Sequence, residues 1–328
     1  MKRAIILMNV GTPDAPTYRG VVRFLFSFLS DKRVITIPVF FRYLLVAVVI
    51  IPCRIFRVVK MYRRLWKGGD SPIRIITEEL VRKLNGSSTN GIFYVAMSYG
   101  KPSIDSVLKQ IKDKGLKKVD LLPLYPHYAN STTGVAINDF KLKIKQYGLR
   151  GNILYDRFSD KQAYKDFLLA QISKYTLAKY DHVLVLFHSL PLSQIIEECY
   201  KGEVHDKGTC YKCQCESTFE DVRQVLAGEC NISSSMAYQS NMGKKWLQPF
   251  ASDEIVRLAK EKSRLLLIAP SFYIDCLETL IEIDETYRYL FLQSGGREFA
   301  FVPAPNASPE SVNLMLQLAG ECGLELKY

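Results

Sequence analysis

Residues 182–191 read His-Val-Leu-Val-Leu-Phe-His-Ser-Leu-Pro. Five apolar residues run without a polar break between two histidines, and a Pro closes the stretch. A strand with one wet face would alternate, so this run reads as a strand covered on both faces, as in a parallel sheet. Outward from it, residues 4–8, 92–97, 119–124, 234–238, 265–269 and 299–302 repeat the pattern, while 104–114 and 163–178 carry helical spacing. The alternation predicts a doubly wound α/β protein. It runs twice, so the expected architecture is two Rossmann-like domains, 1–150 and 151–328, with parallel sheets flanked by helices and an active-site cleft between them.

Folds of this kind gather their chemistry beyond the C-terminal ends of the strands. Five segments fall there: residues 9–13, 98–103, 125–128, 188–191 and 270–278, all polar, aromatic or rich in Gly and Pro. His188 follows its strand directly, where an imidazole can bind a metal or take a proton near neutral pH. In the last segment and beyond it, Asp275, Glu278, Glu282 and Glu285 fall at i, i+3, i+7 and i+10. On an α-helix that is one acidic stripe, either a solvated face or a path for protons or a cation. Neither Gly-x-Gly-x-x-Gly nor a Walker loop occurs, which removes most nucleotide chemistry.

The composition is that of a folded globular chain, 48% hydrophobic and 23% charged over 328 residues. Its net charge of +11 is concentrated early, residues 1–70 holding 13 Lys and Arg against 3 Asp and Glu. These cations are interleaved with Phe, Ile, Val and Leu, which points to an anionic membrane surface rather than nucleic acid. Residues 43–53 are 11 apolar positions between Arg42 and Arg54, short of the roughly 20 that cross a bilayer. From Pro52 onward, Ile55, Val58, Val59, Tyr62 and Leu65 recur at helical spacing with cations between, so a basic amphipathic helix is expected at a membrane interface.

Five of the eight cysteines lie between Cys199 and Cys230. With no secretion signal in the sequence, a reducing cytoplasmic location is expected, peripheral on the inner face of the cell membrane, and clustered thiols there point to a metal. Cys199, Cys210, Cys213 and Cys215 form C-x10-C-x2-C-x-C, a set that suits zinc or a [2Fe–2S] cluster, with plain buried thiols as the third reading. Cys213 and Cys215 are so close that Cys230 stands as the substitute fourth ligand.

Taken in order, six segments resemble the ferrochelatases: residues 5–14, 97–104, 122–134 (Leu-Pro-Leu-Tyr-Pro-His-Tyr-Ala-Asn-Ser-Thr-Thr-Gly), 187–191, 238–249 and 270–283. The resemblance implies insertion of ferrous iron into protoporphyrin IX, with coproporphyrin or cobalt chemistry as the near alternatives and a porphyrin carrier as the non-enzymatic one. It implies a chelatase-like fold, His188 and Glu278 as the catalytic pair, and Asp275 and Glu282 as further members of an acidic metal path. Met8, Tyr99, Tyr125, Ser131, Thr132 and Trp246 become the expected porphyrin contacts. Some bacterial members place a [2Fe–2S] cluster in the region that here holds Cys210-Tyr-Lys-Cys-Gln-Cys215. Departures include Ser98, where many relatives have an arginine expected to hold a propionate, and His-Ser-Leu-Pro for the usual His-Gly-Leu-Pro. An insertion also separates Lys201-Gly202-Glu203 from Tyr211.

Overall fold

The computed structural model describes residues 2–66, 69–196, 199, 208, 210–229 and 232–320. The chain divides into two compact units, Met1–Tyr125 with Ala129–Asp156 and Asn306–Tyr328, and Pro126–Tyr128 with Arg157–Pro305. Each is built on a parallel sheet, as expected.

In the first unit β1 (Arg3–Gly11) lies between β2 (Gly91–Tyr99) and β3 (Val119–Pro123), in the order β2-β1-β3. Leu7 is registered with Val95 on one side and Leu122 on the other. Ala4 to Met8 are wholly buried because helices cover the sheet. The helix Ile104–Asp113 shows why: Ser103 caps it by accepting the Ser106 N–H, and Ile104, Val107, Leu108 and Ile111 form its buried stripe. Each such side chain contributes about 1.5–3 kcal/mol by leaving water. Leu108→Asp would break the arrangement by placing an unpaired carboxylate beside Ile6 and Val119. At the tip of β1, Gly11 has φ +103°, and a Cβ there would sit 1.7 Å from the Tyr99 carbonyl oxygen. Only glycine lets β1 pair as far as Tyr99, which brings two loop-bearing strand ends level.

The helix Pro309–Leu318 belongs to this first unit, although the sequence placed it with the second half. Lys83 Nζ donates to the Ala307 carbonyl at 2.7 Å, and the Arg3 guanidinium reaches Ala319 O. An amphipathic pattern says that a helix packs, but not on which sheet.

In the second unit β4 (His182–His188) is central, with β5 (Ser233–Gln239), β6 (Arg264–Ile268) and β7 (Glu298–Phe301) in the order β5-β4-β6-β7. Val183 to Phe187 are 0% exposed, as their unbroken apolarity requires. Leu184 and Leu186 pack with Ile255, Leu258 and Phe291 in one core cluster.

The basic amphipathic stretch is placed differently from expectation. Its stripe Ile51, Ile55, Val59, Tyr62 and Leu65 faces the first unit's own core, and the cations Arg54, Arg57, Lys60, Arg63 and Arg64 are exposed. The exposed apolar surface begins earlier, on Val39 (58% exposed), Phe40 (70%), Phe41 (61%), Val48 (61%) and Val49 (49%), and continues to Phe56 (78%). Arg42 does not interrupt it, because its side chain is buried and donates to the carbonyls of Ser30, Ile35 and Ile37. Helical structure is continuous over Val39–Leu65, 27 residues that are long and apolar enough to cross a membrane by length and composition. Counting 11 residues between two arginines missed this, since one arginine is folded inward.

Candidate functional site

His188 ends β4, half-buried. Its Nδ1 lies 2.6 Å from the Ser189 carbonyl oxygen. A carbonyl can only accept, so Nδ1 carries a hydrogen, and Nε2 is the ring nitrogen left to take up a proton. Nε2 has no hydrogen-bond partner among the described residues, and the Phe272 ring lies beside the imidazole at 6.4 Å between centroids. The backbone around it is held firmly. Ser189 N–H donates to Gln239 O at 2.8 Å, and Ser189 Oγ donates to Leu247 O at 3.1 Å.

Those bonds bring a second expected segment to the histidine. Leu247 N–H donates to Leu190 O and Leu192 N–H to Lys245 O, so the half-buried Trp246 pairs with Pro191. The loop bearing Trp246 is thereby laced onto the His-Ser-Leu-Pro loop, a pairing 58 residues apart that no local pattern reveals.

The acidic segment is not the α-helix assumed for it. Asp275 lies before the helix, buried, with Oδ1 accepting Ala304 N–H at 3.3 Å. Glu278–Tyr287 is a π-helix. Its five-residue rings align i with i+5 rather than i with i+3 and i+7. Thr286 Oγ1 accordingly donates to Ile281 O at 2.9 Å, and Tyr287 Oη to Glu282 Oε1 at 2.8 Å. Both oxygens of Glu282 are occupied, since Ser240 N–H donates to Oε1 at 3.0 Å and Ser240 Oγ donates to Oε2. Glu282 therefore fastens the start of the Trp246 loop. Glu278 is half-buried and forms no ion pair with a described residue. Burial pushes the neighbouring Cys276 thiol well up, and the charge of Glu278 adds to it.

In the first unit, Met8 is 0% exposed and packs within the core of β1, β2 and their helices. Tyr99 ends β2 and its hydroxyl donates to Asp31 Oδ2 at 3.0 Å. Burial opposes the charge of Asp31, yet the hydrogen bonds and charge of Arg33 hold its carboxyl below the usual range. Arg33 also bonds Asp139 at 2.9 Å. This Asp31–Arg33–Asp139 group was not foreseen, because nothing in spacing ties positions more than a hundred residues apart. Tyr125 packs against the same core, its hydroxyl buried toward Ser98, and burial pushes its pKa up. Ser131 and Thr132 lie in a second π-helical turn, Asn130–Gly134, with Ser131 buried and Thr132 half-buried.

Of the four expected cluster ligands, the fold assembles three. Cys199, Cys210 and Cys213 are buried with their sulfur atoms within 4.8 Å of one another, and Cys199 Sγ is 3.1 Å from Cys213 Sγ. Burial, with the neighbouring thiols, raises the pKa of Cys199. Cys215 is not with them. Cys213 and Cys215 share the helix Tyr211–Glu229, where two positions diverge by about 200°, and Cys215 is wholly buried beside Tyr211. Cys230 and the run Lys201–Glu203 lie outside the described residues.

Comparison with solved structures gives the class first. The sirohydrochlorin chelatase SirB from Bacillus subtilis subspecies spizizenii in complex with cobalt matches at TM-score 0.51, covering 97% of this chain and 93% of that one at 8% identity. SirB from Bacillus subtilis with Fe3+ matches at TM-score 0.53, covering 98% and 95%. The fold is that of the chelatases. At the sequence level the profile described as Ferrochelatase matches residues 2–321. The ferrochelatase of Francisella tularensis subsp. novicida (strain U112) is 34% identical over 98% of this chain and 96% of its own length. That of subsp. holarctica (strain LVS) is 33% identical over the same shares. This chain belongs to the ferrochelatase family and is an enzyme of the ferro-lyase chelatase class.

Proposed function

We propose that the enzyme inserts ferrous iron into protoporphyrin IX, releasing two protons and forming protohaem. The observation that carries the mechanism is the 2.6 Å contact of His188 Nδ1 with Ser189 O, which leaves Nε2 as the ring nitrogen that can take a proton at the strand tip. Nε2 takes the pyrrole protons, and half-buried Glu278 receives them or faces the incoming metal. A planar macrocycle presents two N–H groups where iron must go, so the pocket favours a distorted porphyrin over the free substrate. Trp246, held against Pro191, is the macrocycle contact of the second unit. Tyr99, Tyr125, Ser131 and Thr132, expected from the resemblance, are the further macrocycle contacts of this reading. Glu282 positions the Trp246 loop and is not itself a step in the metal path.

Three thiols within 4.8 Å fit three ligands of a [2Fe–2S] cluster, with Cys230 as the fourth. Such a cluster would supply a redox-active tie between the segment at Cys199 and the helix Tyr211–Glu229. The exposed surface Val39–Val49 is read as a peripheral membrane contact, through which a water-insoluble porphyrin can arrive. A spanning helix would have to abandon the packing of Ile51, Ile55 and Val59.

Anaerobic assay of the purified chain with Fe²⁺ tests the substrate. Metalloporphyrin from protoporphyrin IX supports the reading; product from coproporphyrin alone, or with Co²⁺ alone, overturns it.

A further inference from the structure

The helix Tyr211–Glu229 works in two directions. Tyr211, Gln214, Cys215, Thr218, Val222 and Leu226 form one buried stripe, at i, i+3, i+4, i+7 and onward. Cys213 lies off that stripe, against Cys199 and Cys210. The polar members of the stripe hold the chemistry-bearing segments of the second unit. Tyr211 Oη donates to the His188 carbonyl at 2.9 Å. Gln214 Oε1 accepts Tyr128 N–H at 2.8 Å, and Thr218 Oγ1 shares a hydrogen bond with His127 Nε2 at 2.9 Å. The carbonyl that Tyr211 holds belongs to the peptide between His188 and Ser189. The next carbonyl, that of Ser189, is the one that receives the imidazole Nδ1–H. Turning the first peptide turns the second, and with it the direction of Nε2.

We propose that Tyr211 is a positioning residue for His188, and that it couples the orientation of the imidazole to the state of the Cys199–Cys210–Cys213 thiols, of which Cys213 lies two residues along the same helix. Ring packing alone would be served by phenylalanine; the buried hydroxyl has a specific use, which is to hold the histidine's peptide. Whatever binds or links the three thiols shifts the first turn of the helix, and Tyr211 carries that shift to His188. The catalytic consequence rests on the reading of His188 as the proton-accepting base; the coupling itself does not.

The test uses the full chain as isolated, with histidine-selective ¹⁵N labelling. Four histidines make the imidazole spectrum simple. Tyr211→Phe is expected to move the His188 resonances and leave those of His182 in place. Cys213→Ser is expected to move His188 as well, and that effect should vanish in the Tyr211→Phe background. Thr218→Val, on the same helix, should move His127 and not His188, which separates a directed contact from general loosening. In turnover, Tyr211→Phe should lower kcat about three- to tenfold with the porphyrin KM within about twofold. The proposal is overturned if Cys213→Ser leaves His188 unmoved, or moves it equally with and without Tyr211. Failure of the base reading appears separately, as a His188→Ala enzyme that still inserts iron.

Discussion

Glu282 offers a sharp separation between two roles, because glutamine keeps its shape and removes its charge. The carboxylate accepts from Ser240 N–H, Ser240 Oγ and Tyr287 Oη. In Glu282→Gln, Oε1 still accepts from Tyr287 and the Ser240 N–H, and the new amide donates to Ser240 Oγ. Only charge assistance is lost, about 1 kcal/mol. In Glu282→Ala, the buried Tyr287 hydroxyl loses its acceptor, which costs about 1–3 kcal/mol. The half-buried Ser240 groups turn to water and cost about 0.5–1 kcal/mol more, for a sum of roughly 2–4 kcal/mol localised on the Trp246 loop. With only two tryptophans in the chain, Trp66→Phe leaves Trp246 as sole reporter. Urea titration by its fluorescence should show the alanine variant opening early and the glutamine variant close to wild type. Iron insertion should follow the same order, with glutamine within about threefold of wild type. If both variants abolish chelation while the loop transition stays in place, Glu282 is a charge in the metal path and the fastening role is wrong.

His127 is buried, and burial lowers its pKa to about 3 from 6.5. Below pH 6.5 the unfolded chain takes a proton that the folded chain refuses, so stability falls as pH drops from about 6.5 toward 3, by about 2 kcal/mol already at pH 5. His127→Gln should flatten that slope in urea midpoints measured at pH 7 and pH 5; an unchanged slope would refute it. Cys213→Ser should abolish bound iron and sulfide in anaerobically purified protein, whereas Cys215→Ser should leave them, and the reverse result would place Cys215 in the ligand set. Phe40→Ser with Phe41→Ser should cut binding to anionic vesicles at least tenfold, each exposed ring being worth about 1.5 kcal/mol or more in lipid; full retention would remove this surface from the membrane contact.

Most of the fold was readable because buried parallel strands leave an unmistakable pattern. Val183 to Phe187 lack any polar residue, and the seven strands among the described residues begin within one residue of where apolarity placed them. The order β5-β4-β6-β7 was not readable, since apolar runs carry no partner labels. Position and resemblance singled out His188 and Glu278, which lie at the end of β4 and at the start of the π-helix. The π-helix itself was not readable, because one inserted turn leaves composition unchanged while altering which carboxylates share a face. Arg42 shows the complementary failure: a charge in sequence reads as solvent, yet three carbonyls draw it inside. Tyr211 was quoted only within a cysteine motif and as the residue beyond the insertion after Glu203. Its bond to His188 spans 23 residues and becomes visible only when the helix is in place.

The central claim is that His188 Nε2 is the base of metal insertion. The most direct measurement is anaerobic single turnover with protoporphyrin IX and Fe²⁺, following the porphyrin Soret band in wild type, His188→Ala and Glu278→Gln. All three should bind the macrocycle, and iron insertion should fall at least about 100-fold in His188→Ala, leaving bound, metal-free porphyrin. Insertion by His188→Ala at a rate near wild type would contradict the claim.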